Sequence, residues 1–245
     1  MYVYLLVKIQ VCESCLLKTI SMNSEKEILK LLKDKSSVKQ EVYKITKGVF
    51  ADIQDVLSVK ASRLNELISH ADVNITYEET GDFDAMLKFS GDTLLFHMHT
   101  NIFDFETSHK VHKTSYVKED RMRSFCGLIN IYNFLSDSLK YNRLNDAGFL
   151  IARVFINKDS HFFVEGDKEL GFLFNDFLNQ KINKEQMDRI INSVMEYSLN
   201  FDLQAPDFND VKMVSVHEIL ELNSNHKIKT SKRLGFKLEH DTNNE

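Results

Sequence analysis

The sequence predicts an α+β fold. An antiparallel β-sheet of about five to six strands, arranged as two hairpin or meander blocks, is flanked by N-terminal and C-terminal amphipathic helices. Three observations carry this expectation. Apolar residues recur at spacings of three and four from Val38 to Leu67, and again from Met187 to Met195. Between those stretches apolar and polar residues alternate, as in Phe83, Ala85, Leu87 and Phe89. Short turns, such as Thr80-Gly81-Asp82 and Ser90-Gly91-Asp92, separate the alternating runs and leave no room for parallel crossovers.

A first helix is expected over residues 24–35, with Ser24 and Glu27 as a capping box and Ile28, Leu31 and Leu32 on its apolar stripe. Ser37 and Gln40 offer a second capping box, opening a long amphipathic helix over about 37–71 with a break expected near Lys60–Ser62. Lys60 interrupts the stripe, which does not support a sustained coiled coil. A helix laid across a sheet is therefore preferred to a dimerisation helix. A β-meander follows: Val73, Ile75 and Tyr77, then the run from Phe83 to Phe89, then Leu94, Phe96 and Met98.

Residues 104–123 are polar and charged and read as an exposed loop or short helix. Phe125–Leu135 is apolar with little alternation, the pattern of a strand covered on both faces. Phe149–Ile156 and His161–Glu165, joined by Asn157-Lys158-Asp159-Ser160, form another hairpin. Asp167 is expected to cap a helix carrying Leu170, Leu173, Phe174 and Phe177, and Asn183 with Gln186 to cap one carrying Met187, Ile190, Ile191, Val194 and Met195. Val211–Leu222 has strand character at its start and helix character at its end.

The expected organisation is a non-native N-terminal extension over 1–21, because Met22 immediately precedes the first capping box, then a single α+β domain over 22–222, then a flexible basic and polar tail over 223–245. No run approaches 18 consecutive apolar residues, so a soluble protein without membrane association is expected. Three cysteines among 245 residues make no disulfide framework and point to a reducing, cytoplasmic setting. Cys12-Glu-Ser-Cys15 has the spacing of half a zinc site, but only Cys126 remains to complete it, and Cys126 reads as a core thiol. With eight glycines, one proline and neither a Walker nor a GxGxxG pattern, glycine-rich nucleotide sites are disfavoured. A net charge of −5 argues against broad attraction to nucleic acid; the tail over 227–237 is the one basic cluster and offers at most weak association.

Two groups of residues could carry function. Four of the nine histidines, His97, His99, His109 and His112, fall within sixteen residues, together with Asp104 and Glu106. His97 and His99 share one face of a strand, and imidazoles with carboxylates bind zinc or manganese when three or four converge. An open coordination position would then activate water for hydrolysis. The second group centres on Arg153, which lies in an apolar strand and needs a partner from among Asp146, Glu165 and Asp137. Its functional reading pairs it with Arg143 to bind a carboxylate or phosphate; its structural reading, which is preferred, is one internal salt bridge. Tyr132 and Tyr141 lie in the polar run from Asn130 to Asp146, whose composition suits a binding loop.

No nucleophile elbow or other catalytic signature accompanies these groups. The expected function is therefore non-catalytic binding of a partner or small ligand, without a cofactor and with self-association or a protein partner. The alternative is a metal-dependent hydrolase, a phosphoesterase or nuclease, built on the His97–His112 cluster.

Overall fold

The computed structural model describes residues 24–144, 146–166, 169–201 and 205–217. Six strands form one sheet in sequence order: β1 (Ile75–Gly81), β2 (Asp84–Phe89), β3 (Asp92–Met98), β4 (Cys126–Leu135), β5 (Phe149–Asn157) and β6 (Phe162–Gly166). Every neighbouring pair is antiparallel. The α+β class and the antiparallel sheet are therefore observed. The two meander blocks join edge to edge through β3 and β4, in a single sheet, and do not stack on each other.

The first long helix, α1 (Ser37–Leu67), runs unbroken through Lys60–Ser62. Residues 24–31 are also helical and lead into it through a π-helical turn at Leu32–Ser36. Ser37 is consequently not a cap. Its hydroxyl donates back to the carbonyls of Lys33 and Asp34, the bond a serine makes inside a helix. Lys60 is tolerated because it reaches sideways to Asp188, 2.6 Å away on the helix Lys184–Leu199, so the polar gap in the stripe is a helix–helix bridge. The helix ends at Ile68, which is extended, and Asn65 then clamps it to the sheet edge. The Asn65 amide donates to the Ile75 carbonyl at 2.6 Å and accepts from the Ile75 N–H at 2.8 Å.

Val42, Val49, Phe50, Ile53 and Leu57 of α1 are buried against one sheet face. Helix α5 (Lys184–Leu199) buries Met187, Ile190, Ile191, Val194 and Met195 against the same core and is capped by Asn183, which accepts from the Gln186 N–H at 2.8 Å. The sheet contributes Leu87, Phe96, Ile129 and Val154 from successive strands, in keeping with period-two alternation. An extra residue in β5, Ile151, bulges between the pairs Ile131–Ala152 and Tyr132–Leu150 and turns its side chain into this core.

Short helices fill the connections: α2 (Ser115–Glu119), α3 (Ser136–Lys140), α4 (Glu169–Leu173) and α6 (Phe208–Val211). Helix α4 is a single turn, shorter than the stripe from Leu170 to Phe177 suggested, and Asp167 lies outside the described residues. Residues 208–211 are helical where a strand was one reading. The 1–21 extension, with Cys12 and Cys15, and the tail over 227–237 also lie outside the described residues. Among the described residues no helix is long and apolar enough to cross a membrane.

Residues 104–123, expected as an exposed loop or short helix, do hold a short helix at Ser115–Glu119, but the segment from His99 to Phe125 is not wholly exposed, since Val111, Val117 and Phe125 are buried. It packs on the second sheet face at the β4–β6 end, where Val111, Val117, Leu128, Phe155, Phe163 and Phe177 form a second apolar core. Phe103, Phe105 and Tyr116 pack against that core. The segment is pinned by reciprocal 2.9 Å backbone bonds between Phe103 and Cys126. Thr114 caps α2, and Asp120 caps the turn after it. Its apolar residues follow neither helical nor strand spacing, so periodicity alone makes them look solvated. Cys126 is wholly buried here, and burial pushes its thiol well above the usual range. It is the core thiol that the sequence suggests.

α1 approaches β4 most closely at Gly127, where an added Cβ would stand 2.0 Å from the Thr46 hydroxyl, within backbone-level contact of a fully buried residue. Gly127→Ala is therefore expected to lower folding stability by about 1–3 kcal/mol through overpacking. Urea denaturation followed by circular dichroism measures it, and an unchanged midpoint would show that α1 yields at no cost.

Candidate functional site

The two helices cover most of one face of the sheet and the His99–Phe125 segment covers part of the other. What remains of that second face is open. Across it the strand register aligns five polar residues in one row: Asp84 on β2 faces His97 on β3, His97 faces Asn130 on β4, Asn130 faces Arg153 on β5, and Arg153 faces Glu165 on β6. Directly opposed residues on one face have Cβ atoms about 4.5–5.5 Å apart, so the row is a continuous chain of neighbours.

One end of the row is a carboxylate–imidazole contact and the other an ion pair. His97 Nδ1 lies 2.6 Å from Asp84 Oδ1, and both side chains are 40% exposed. Arg153 donates through Nη2 to Glu165 Oε2, which selects Glu165 from the three partners the sequence offers. The other carboxylate oxygen of Glu165 stands 3.9 Å from His109 Nε2. Between the pairs sits Asn130, only 8% exposed. Among the described residues its amide makes no hydrogen bond, yet neither amide atom is sealed from the open face. The side chain is thus largely covered while its amide stays reachable from the open face, so a donor and an acceptor at the centre of the row are available to whatever meets that face.

A second row runs beside the first on the same face. Met86, Leu95, Tyr132 and Leu150 occupy β2 to β5 in register, and each is only partly covered. On the opposite side the face is walled by aromatic rings. His99 meets Phe103 edge-on at 4.8 Å, and Phe105 stacks on His109 at 4.7 Å. The wall is held from behind by polar ties to the β5–β6 turn. Tyr116 donates to Asp159 at 2.7 Å, Arg123 bonds Asp159 at 3.1 Å, and Lys158 pairs with Asp120. Burial, and then the bond to Asp159, raises the ionisation of the Tyr116 phenol far above its ordinary value, so the phenol stays a donor. The hydrogen bond from Lys158 lowers the Asp120 carboxyl below the usual range.

The sequence-predicted residues are thus partly brought together. Arg153, Tyr132, His97, His99 and His109 border one open face. Arg143 and Tyr141 do not join them: they lie in the turn after α3, where Arg143 is buried and pairs with Asp146 at 3.2 Å while Lys140 covers the Tyr141 ring at 5.0 Å. The four histidines take separate roles. His97 pairs with Asp84, His99 accepts from the Asn101 N–H at 3.0 Å, and His109 accepts from the Val111 N–H at 3.3 Å. His112 holds the Phe105 carbonyl at 3.0 Å and lies 3.7 Å from Asp104. Glu106 is exposed. Among the described residues no group of three or more His, Cys, Asp or Glu side chains is placed to hold one ion.

Asp84 is a residue the sequence reading passed over, and Asn130 entered it only as part of a polar run. The local signal was a polar residue flanked by apolar ones within a strand, clear at Asn130 and Arg153 and absent at Asp84, the first residue of β2. A groove of about 480 Å³ also lies between α1 and α5, but its lysines are committed: Lys60 to Asp188, and Lys184 to Asp55 and Asp52 at 3.1 and 3.4 Å. No family model, curated protein or solved structure matches the chain.

If Asn130 is kept for a ligand and not for the fold, Asn130→Leu should raise folding stability by about 1 kcal/mol, because an apolar side chain of similar size removes an unpaired amide. Chemical denaturation of the variant measures this, and a clear loss of stability would mean that the amide serves the fold itself.

Proposed function

We propose that this chain is a non-catalytic binding protein whose ligand surface is the open face of the sheet, with Asn130 at its floor. The observation that carries the reading is the amide of a residue 8% exposed, without a partner among the described residues, set between His97 and Arg153 and beside a half-covered apolar row. The polar groups flanking it are already held in place, His97 by Asp84 and Arg153 by Glu165, which suits holding a small molecule between them. Tyr132 supplies a ring and a hydroxyl two residues along β4 on the same face. The test is a fragment titration of the ¹⁵N-labelled full chain. Shifts are expected to cluster on the Asn130 side-chain amide and on the backbone around His97, Arg153 and Tyr132. A set of neutral and charged fragments that all leave these signals in place would end the reading.

A second reading, self-association, has its own observation. Ile28, Leu29, Leu31 and Leu32 of the helical stretch before α1 are all more than half exposed. A contiguous apolar stripe of this kind suits a second copy of the chain. Sedimentation at micromolar concentration is expected to show a dimer that the double variant Leu31→Asp, Leu32→Asp dissociates. A strictly monomeric parent protein would remove this reading.

A further inference from the structure

We infer that the open face takes a small organic carboxylate, with its carboxyl group seated between Arg153 and Asn130 and its apolar body along the row formed by Met86, Leu95 and Tyr132. The inference rests on the reading of this face as a ligand surface and adds the chemistry of the ligand.

Arg153 carries five N–H donors in a planar fork. Its side chain is 42% exposed. Glu165 takes one of the two N–H groups of Nη2, and among the described residues Nε and Nη1 make no hydrogen bond, so the second N–H of Nη2 and its neighbour on that edge remain for a planar anion. Glu165 and the Phe155 ring, 5.4 Å from the guanidinium carbon, hold that fork in orientation before anything binds. Asn130 is its direct neighbour across β4 and β5, and its amide N–H is the next donor along the row. Two adjacent donor groups of this kind match the two oxygens of one carboxylate.

The charge pattern selects the class of anion. Only one guanidinium serves the seat, and carboxylates stand at both ends of the row, at Asp84 and Glu165. A planar monoanion shares Arg153 with Glu165 at modest cost, whereas a phosphate dianion brings a second charge that nothing in the row neutralises. The body of the ligand has one apolar direction to take. The next row on the β2–β4 strands is Met86, Leu95 and Tyr132, all partly exposed, and the Tyr132 hydroxyl has no partner among the described residues. An acid with a short aryl or alkyl body therefore covers apolar area while its head group meets the donors.

The probes are 3-phenylpropionate, its neutral counterpart 3-phenylpropanamide, and inorganic phosphate, each titrated into the ¹⁵N-labelled full chain. The carboxylate is expected to move the Asn130 side-chain amide and the Arg153 Nε–H signals and to bind at least about tenfold more tightly than the amide. Phosphate is expected to move neither signal. Arg153→Lys, which keeps the charge opposite Glu165 but loses the fork, should abolish that preference. Asn130→Leu, which does not depend on the ion pair for folding, should weaken the carboxylate in the same way.

Equal affinity for amide and carboxylate, or tight phosphate binding at the same signals, would overturn the carboxylate assignment and leave the ligand surface standing. Silence of the open face toward both organic probes and toward a wider fragment set overturns both. A carboxylate preference that survives Arg153→Lys and Asn130→Leu unchanged places its seat elsewhere and overturns the inference.

Discussion

The organisation of this protein depends on the continuous antiparallel register of β2 through β6. Side chains on a strand alternate between faces, so an unbroken register carries any choice of face from one strand to the next. Once Phe96 and Ile129 turn toward the helices, His97 and Asn130 are committed to the opposite side. The same logic carries through Val154 and Arg153 on β5 and through Val164 and Glu165 on β6. The core rows and the polar row are two consequences of one hydrogen-bond ladder. The bulge at Ile151 comes after Arg153 has been placed, and so leaves the polar row intact while adding a residue to the core.

Coverage of the sheet is unequal. Helices α1 and α5 cover most of one face, with Gly127 making room for the Thr46 side chain of α1 against β4. The other face is closed only by the His99–Phe125 segment, which has little regular structure of its own. That segment holds its place through the second aromatic core and through ties to the β5–β6 turn. Coverage stops at His99 and His109, and the half-covered row from Met86 to Leu150 lies beyond it. Exposed apolar surface next to an unpaired buried amide is unfavourable for an isolated domain and favourable for one that meets something there.

Within the polar row, stability and recognition are separable. The Arg153–Glu165 ion pair and the Asp84–His97 contact are partly exposed, and an exposed ion pair contributes about 1 kcal/mol or less to the fold. Their stronger effect is geometric: Glu165 orients the Arg153 fork, and Asp84 orients the His97 ring. Asn130, by contrast, makes no side-chain hydrogen bond among the described residues, so its amide is not committed to the fold.

Much of this was legible in the sequence. The helical stripes of α1 and α5, the alternating strands and their short turns all follow from local spacing, and the α+β class follows from their order. Even the need of Arg153 for a carboxylate was readable, because a guanidinium in an apolar strand has few other options. Local spacing could not supply the register between strands. His97 and Arg153 are 56 positions apart in the chain, and only the pairing of β3, β4 and β5 sets them on either side of Asn130. The same limit scattered the clustered histidines to separate partners and sent Arg143 to Asp146, far from the row it was expected to join. Periodicity determines which way a side chain points; the long-range ladder and the packing of an aperiodic segment decide what it meets.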